Sequence, residues 1–144
     1  MKESVFLEIC SEISDPDDPT GPERTRLRAE GTLSECAGTR ILSYRETGES
    51  GATDCVVTER SDGVVTVLRR GASEACLIFE AGKEHLTVYT VAPYRFDAAV
   101  RTESVFSSHE RDHGELSLRY RLIFGGAPRL CRLTLRYRKR GFSD

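Results

Sequence analysis

One pentapeptide in this 144-residue chain spells out metal-dependent hydrolysis. His109-Glu110-Arg111-Asp112-His113 matches H-E-x-x-H, in which two imidazoles four residues apart bind one zinc and the glutamate serves the metal-bound water. That chemistry needs a helix, because only there do positions i and i+4 lie on one face. The surroundings predict none. Strand patterns flank the string, Ser107-Ser108 lead into it and Gly114 stops it. Five successive polar residues leave no apolar stripe to seat a helix against a core, and no third ligand stands at a recognisable spacing. The string is expected to be a charged hairpin loop, without metal or other cofactor. No G-x-S-x-G elbow, phosphate loop or dinucleotide fingerprint occurs, and no spacing sets a thiolate beside an imidazole. The sequence supports no catalytic residue and no enzyme class.

A second constellation suggests binding. In Val64-Val65-Thr66-Val67-Leu68-Arg69-Arg70-Gly71 a strand pattern runs into a glycine, with Val65, Val67 and Arg69 on one side. Downstream His85, Thr87 and Tyr89 share one side of another strand, with Leu86 and Val88 opposite. If Arg69, His85 and Tyr89 point into one apolar cavity, they form a ligand-binding set, since Arg with Tyr can hold a carboxylate or phosphate head group. A lumen site of that kind requires a connected cavity of roughly a few hundred Å³ with Arg69 inward. The alternative places Arg69 outside or ion-paired at a rim, with Tyr89 as ordinary core.

The elements that must position these residues are strands. In Glu115 to Phe124, Leu116, Leu118, Tyr120, Leu122 and Phe124 alternate with Glu115, Ser117, Arg119 and Arg121; after Gly125-Gly126-Ala127-Pro128, Leu133, Leu135 and Tyr137 alternate with Arg132, Thr134, Arg136 and Arg138. Successive strand side chains point to opposite faces, so this is a hairpin with an apolar face and an arginine face. Val5, Leu7, Ile9 and Ile13 alternate likewise near the N-terminus, followed by strand patterns at Leu27–Leu33, Ile41–Arg45, Cys55–Arg60, Val64–Arg69, Ala75–Phe79, Leu86–Val91 and Phe96–Phe106. Ser61-Asp62-Gly63 is a tight-hairpin signal. Short polar connections favour neighbour-to-neighbour antiparallel pairing. About ten strands would expose long sheet edges unless the sheet closes. The expectation is an all-β, single-domain, up-and-down antiparallel barrel over residues 1–144, with an orthogonal sandwich as the near alternative.

Charge is unevenly spread. The first fifty residues hold 11 acids and 6 bases, whereas residues 116–143 hold eight bases and no acid. Barrel closure accounts for this if the last strand pairs with the first, laying Glu8 and Glu12 across from arginines. The alternative is a nucleic-acid interface on Arg119, Arg121, Arg132, Arg136, Arg138, Lys139 and Arg140. The tyrosines of that hairpin fall on its other face, so it brings no stacking platform of its own. A net charge of −2 argues against a surface built wholly for polyanions. No run of apolar residues is long enough to span a membrane, and the N-terminal run Val5–Ile9 is too short for a signal peptide. Five scattered cysteines, Cys10, Cys36, Cys55, Cys76 and Cys131, fit neither a disulfide framework nor a zinc knuckle. A cytoplasmic location with reduced thiols is expected.

The run Val67-Leu68-Arg69-Arg70-Gly71, then Leu77-Ile78-Phe79, Gly82, His85 and Tyr89, with Val100-Arg101-Thr102 and Gly114-Glu115-Leu116-x-Leu118-x-Tyr120, resembles the YwiB-like family of small bacterial proteins. The resemblance spans the chain from about residue 64 onward. One departure is Val91-Ala92-Pro93-Tyr94, where the family often has a Thr-Pro-Tyr-Gly-like turn. The resemblance implies a lipocalin-like, calycin-type meander barrel and no particular activity, since the family is uncharacterised. The functional expectation is a non-catalytic binder of a small amphipathic ligand in the barrel lumen, with Arg69, His85 and Tyr89 as its polar groups. The alternative is an interaction or nucleic-acid-binding module using the arginine face.

Overall fold

The structure, a computed structural model, describes residues 2–18, 20–49, 51–125 and 127–141. Ten strands follow in order: β1 (Lys2–Ser14), β2 (Glu23–Cys36), β3 (Thr39–Gly48), β4 (Gly51–Glu59), β5 (Val65–Gly71), β6 (Ala75–Phe79), β7 (Glu84–Val91), β8 (Tyr94–His109), β9 (His113–Phe124) and β10 (Ala127–Lys139). They form one antiparallel sheet in the order β6-β5-β4-β3-β2-β1-β10-β9-β8-β7, rolled into a nearly closed barrel. Among the described residues no helix is long and apolar enough to cross a membrane.

The alternation decides which side of each strand is buried. Val5, Leu7 and Ile9 of β1, Leu116 and Leu118 of β9, and Leu135 and Tyr137 of β10 are buried, while the residues between them face outward. Hairpin chemistry sets the connections. Between β4 and β5, Gly63 takes φ 89° and donates its N–H to Arg60 O, and the Asp62 carboxylate accepts from the Val64 N–H at 3.1 Å. Glycine suits this position because an L side chain is strained at positive φ.

First and last strands do meet. Glu8 lies opposite Arg136 and Glu12 opposite Arg132 across β1 and β10. On the other flank Glu12 accepts from Arg24 at 2.5 Å and Glu8 lies 3.7 Å from Arg28. The acid-rich N-terminal strand is thus sandwiched between two arginine-bearing strands, which explains much of the uneven charge.

The opposite wall is fastened differently. Among the described residues, one bridge just before β6 ties it to β7: Glu74 and Thr90 exchange both backbone hydrogen bonds at 2.8 Å, helped by a bond from Thr87 Oγ1 to Cys76 O. A β-bulge in β8 between Thr102 and Ser104 changes the strand's parity. Before it Ala98, Val100 and Thr102 point inward; after it Val105, Ser107 and His109 do.

The barrel interior is filled. Phe79, Leu118, Leu135, Val5, Val65 and Val100 are each at most 1% exposed, and the Phe79 ring meets Tyr120 edge-on at 4.8 Å. Each such side chain contributes about 1.5–3 kcal/mol by leaving water. The packed centre leaves polar chemistry to the two ends.

Candidate functional site

At one mouth the site is built around Arg69. Val65, Val67 and Arg69 follow one another along the inner face of β5, so the alternation that buries two valines carries the guanidinium over the core. Arg69 Nε donates to Ser73 Oγ at 3.1 Å and Nη1 to Glu46 Oε2 at 3.1 Å, with Cys55 Sγ at 3.6 Å. The arginine side chain is 18% exposed and that of Glu46 38%, so the pair spans the boundary between core and solvent. Burial works against the guanidinium's charge, but Tyr89, Cys55 and Glu46 outweigh it and raise its pKa. Burial also raises the Cys55 thiol and, more strongly, the Tyr44 and Tyr120 hydroxyls, which keeps these groups neutral around the Arg69 guanidinium.

An apolar flare adjoins this cluster. Tyr89 pairs with Phe96 and Val91 with Tyr94 across β7 and β8, so all four share the inner face beyond the packed core. Phe96 sits 6.1 Å from Phe124 edge-on and 6.4 Å from a stacked Tyr94. Tyr94 is 65% and Phe96 46% exposed. The mouth therefore offers a cation beside a wall of aromatic rings.

The three residues singled out from the sequence are not all together. Tyr89 is among the groups that raise the Arg69 pKa, so the two lie at the same mouth. His85 shares the inner face of β7 with Tyr89 but lies four residues away, about 13 Å along a strand. Its Nε2 lies 3.0 Å from Glu80 Oε1, and Lys83 Nζ 3.2 Å from the other carboxylate oxygen. The His85 and Lys83 hydrogen bonds together lower the Glu80 pKa.

The opposite mouth holds a polar cluster that the sequence reading did not assemble. His109 Nδ1 lies 2.8 Å from Tyr137 Oη, and Nε2 lies 2.9 Å from Glu59 Oε2 and 2.8 Å from Ser107 Oγ. Ser107 also bonds Glu59 Oε1. The imidazole stacks on Tyr137 at 5.8 Å. Burial is the main reason the Tyr137 hydroxyl is pushed up to about 12. A signal was available: Thr53, Cys55 and Val57 are inward residues of β4, and Glu59 is next in the series. A small, partly open cavity lined by Leu33, Arg40, Leu42, Val57, Leu116 and Leu135 with this cluster measures about 20 Å³. That is room for about one water.

The zinc-like string forms the end of β8, a turn and the start of β9, with Glu110 N donating to His113 O. His109 points inward, whereas His113 is exposed and bonds Asp112 Oδ1 at 2.6 Å. The helical geometry that the motif demands is not formed.

Residues 7–135 match the model of a family described as Domain of unknown function (DUF1934). The chain belongs to the DUF1934 family. A crystal structure of the ywiB protein from Bacillus subtilis matches with a TM-score of 0.85 at 24% sequence identity, covering 96% of this chain and 92% of that one. That likeness shows a shared fold, in keeping with a calycin-like barrel. No curated protein sequence matches the chain. The DUF1934 description assigns no activity, so a functional reading rests on the geometry of the mouths and outer faces.

Proposed function

We propose that this DUF1934 protein is a non-catalytic, cytoplasmic binder of a small amphipathic anion, held at the Arg69 mouth of the barrel. The observation that carries the reading is the largely buried Arg69 guanidinium at a mouth that also exposes the Tyr94 and Phe96 rings. A carboxylate or phosphate would pair with the guanidinium, replacing or sharing the half-exposed Glu46, and the apolar body would cover the rings. The filled interior argues against a ligand at the barrel's centre and favours a shallow seat at its rim. In this reading Tyr89, paired with Phe96 across β7 and β8, donates a hydrogen bond to the head group. His85, paired with Glu80, sits outside this seat. The free cysteines fit a reducing compartment.

Native mass spectrometry of freshly purified protein tests this directly. The expected result is a co-purified small anion, lost in Arg69→Met. Titration with a medium-chain fatty acid, followed by intrinsic tyrosine fluorescence, should saturate for the parent and weaken at least tenfold for the variant. An unliganded mass together with no saturable response would overturn the reading.

A further inference from the structure

The outward face of β2, β1, β10, β9 and β8 lies away from the Arg69 mouth and carries a different chemistry. We propose that this face binds single-stranded nucleic acid, with rows of arginine on the phosphates and with Phe6 and Phe106 stacking against bases.

The arginines are spaced for a linear polyanion. Arg24, Arg26 and Arg28 alternate along β2, about 7 Å apart at i, i+2 spacing. Glu12 pairs with Arg24 and Glu115 with Arg136, but compensation is incomplete, because one Glu8 carboxylate within 4.0 Å of Arg26 and Arg28 is also shared with Arg136. Arg132 stands directly opposite Arg119 across β10 and β9. Like charges in that position cost stability, and a phosphate lying between them would convert the repulsion into two attractions. Glu8, Glu12, Glu30, Glu103 and Glu115 share this outward face, but its arginines outnumber its acids, which the net charge of −2 hides.

A track runs between the rows. An open groove of about 500 Å³ is bounded by Arg26, Arg132 and Thr134 together with Glu12, and a second of about 480 Å³ by Arg28, Phe6 and Arg138 together with Glu8 and Glu115; the two adjoin at Arg136.

The stacking surface that the C-terminal hairpin lacks comes from other strands. Phe6 lies between Glu30 and Arg138 in the outward register of β1, and Phe106 lies opposite Ser117 on the outward side of β8 after the bulge. They are 46% and 55% exposed, an expense of apolar surface for which the fold shows no use. Arg140 lies over the Phe6 ring at 4.7 Å from its centroid. A base taking that place would lie beside a guanidinium that also pairs with Glu30 at 2.9 Å. Stacking on protruding rings needs unpaired bases, which favours single strands over duplex.

Fluorescence anisotropy with the full chain tests this, using a labelled oligouridylate of about 12 nucleotides, a duplex of equal length and phosphatidylserine vesicles. Expected is saturable oligouridylate binding at about 50 mM salt that falls steeply by about 200 mM. Phe6→Ala/Phe106→Ala should weaken it roughly tenfold while leaving heparin binding unchanged. Arg132→Gln should reduce the salt slope by about one. Far-UV circular dichroism shows whether each variant keeps its sheet. The proposal is overturned by no saturable binding at low salt, by duplex binding as tight as single strand, by a double-phenylalanine variant equal to the parent, or by vesicles binding in preference to oligonucleotide.

Discussion

Gly114 and Tyr137 lie directly opposite each other across β9 and β10, and a Cβ on Gly114 would stand 2.5 Å from the tyrosine ring. The missing side chain is what lets the ring lie flat across the neighbouring strand and deliver its hydroxyl to His109. Gly114→Ala should therefore destabilise the barrel by about 1–3 kcal/mol, the usual cost of overpacking. A urea titration with an unchanged m-value and a lower midpoint is the expected signature; an unaltered midpoint would show that the ring moves aside freely.

Glu59 and His109 should behave as a coupled pair. With side chains 14% and 12% exposed and 2.9 Å apart, each satisfies the other away from bulk water. Replacing His109 by Leu leaves the carboxylate with Ser107 alone and should cost about 1–3 kcal/mol. The Glu59→Leu/His109→Leu double variant should lose less than the two singles combined, with a coupling energy of about 0.5–3 kcal/mol. Strict additivity in denaturant unfolding would deny the coupling.

Alkaline pH should unfold the barrel in a defined window. The Tyr137 hydroxyl is raised from its ordinary 10.0 to about 12, and those of Tyr44 and Tyr120 are raised as well, burial being the first cause for all three. Where a folded-state value exceeds the unfolded one, the native chain holds the proton longer. Its contribution is complete below the unfolded value and disappears as pH rises through the folded one. Stability should hold below pH 10 and fall progressively above it. Tyrosinate absorbance should appear together with loss of the far-UV sheet signal; ionisation of all tyrosines in an intact barrel would contradict this.

Zinc should have no stabilising effect. His109 is turned into the barrel and held by Glu59 and Tyr137, whereas His113 is turned outward and held by Asp112. An equimolar addition of zinc should leave the melting temperature where it was. A rise of several degrees that His109→Gln abolishes would mean the two rings can be brought onto one ion.

Much of this was legible in the chain because strand alternation is local. The apolar faces of β1, β9 and β10, and the pairing of Glu8 and Glu12 with arginines once first and last strands met, needed only period two and closure. The mouths were harder to see. Arg69 comes beside Glu46, and Glu59 beside His109, through the register of strands far apart in sequence, which no local pattern encodes. The β8 bulge hid more: by reversing parity after Thr102 it turns His109 inward and Phe106 outward, so alternation counted from Val100 misassigns both. The zinc-like string shows the converse, five letters whose meaning depends on a helix that the flanking strands forbid.

The unequal fastening of the cylinder gives its breathing a preferred direction. Parting β1 from β10 would sever a ladder ten residues long, whereas parting β6 from β7 breaks the two backbone bonds of Glu74 and Thr90 and the Thr87 contact. Amide exchange should begin along that slit, and the sheet should unroll from it. Gly82 and Lys83, which bond the backbone of Thr102, sit at the same edge, and the Thr102 hydroxyl has no partner among the described residues. The first water to slip through would find a hydrogen bond already waiting.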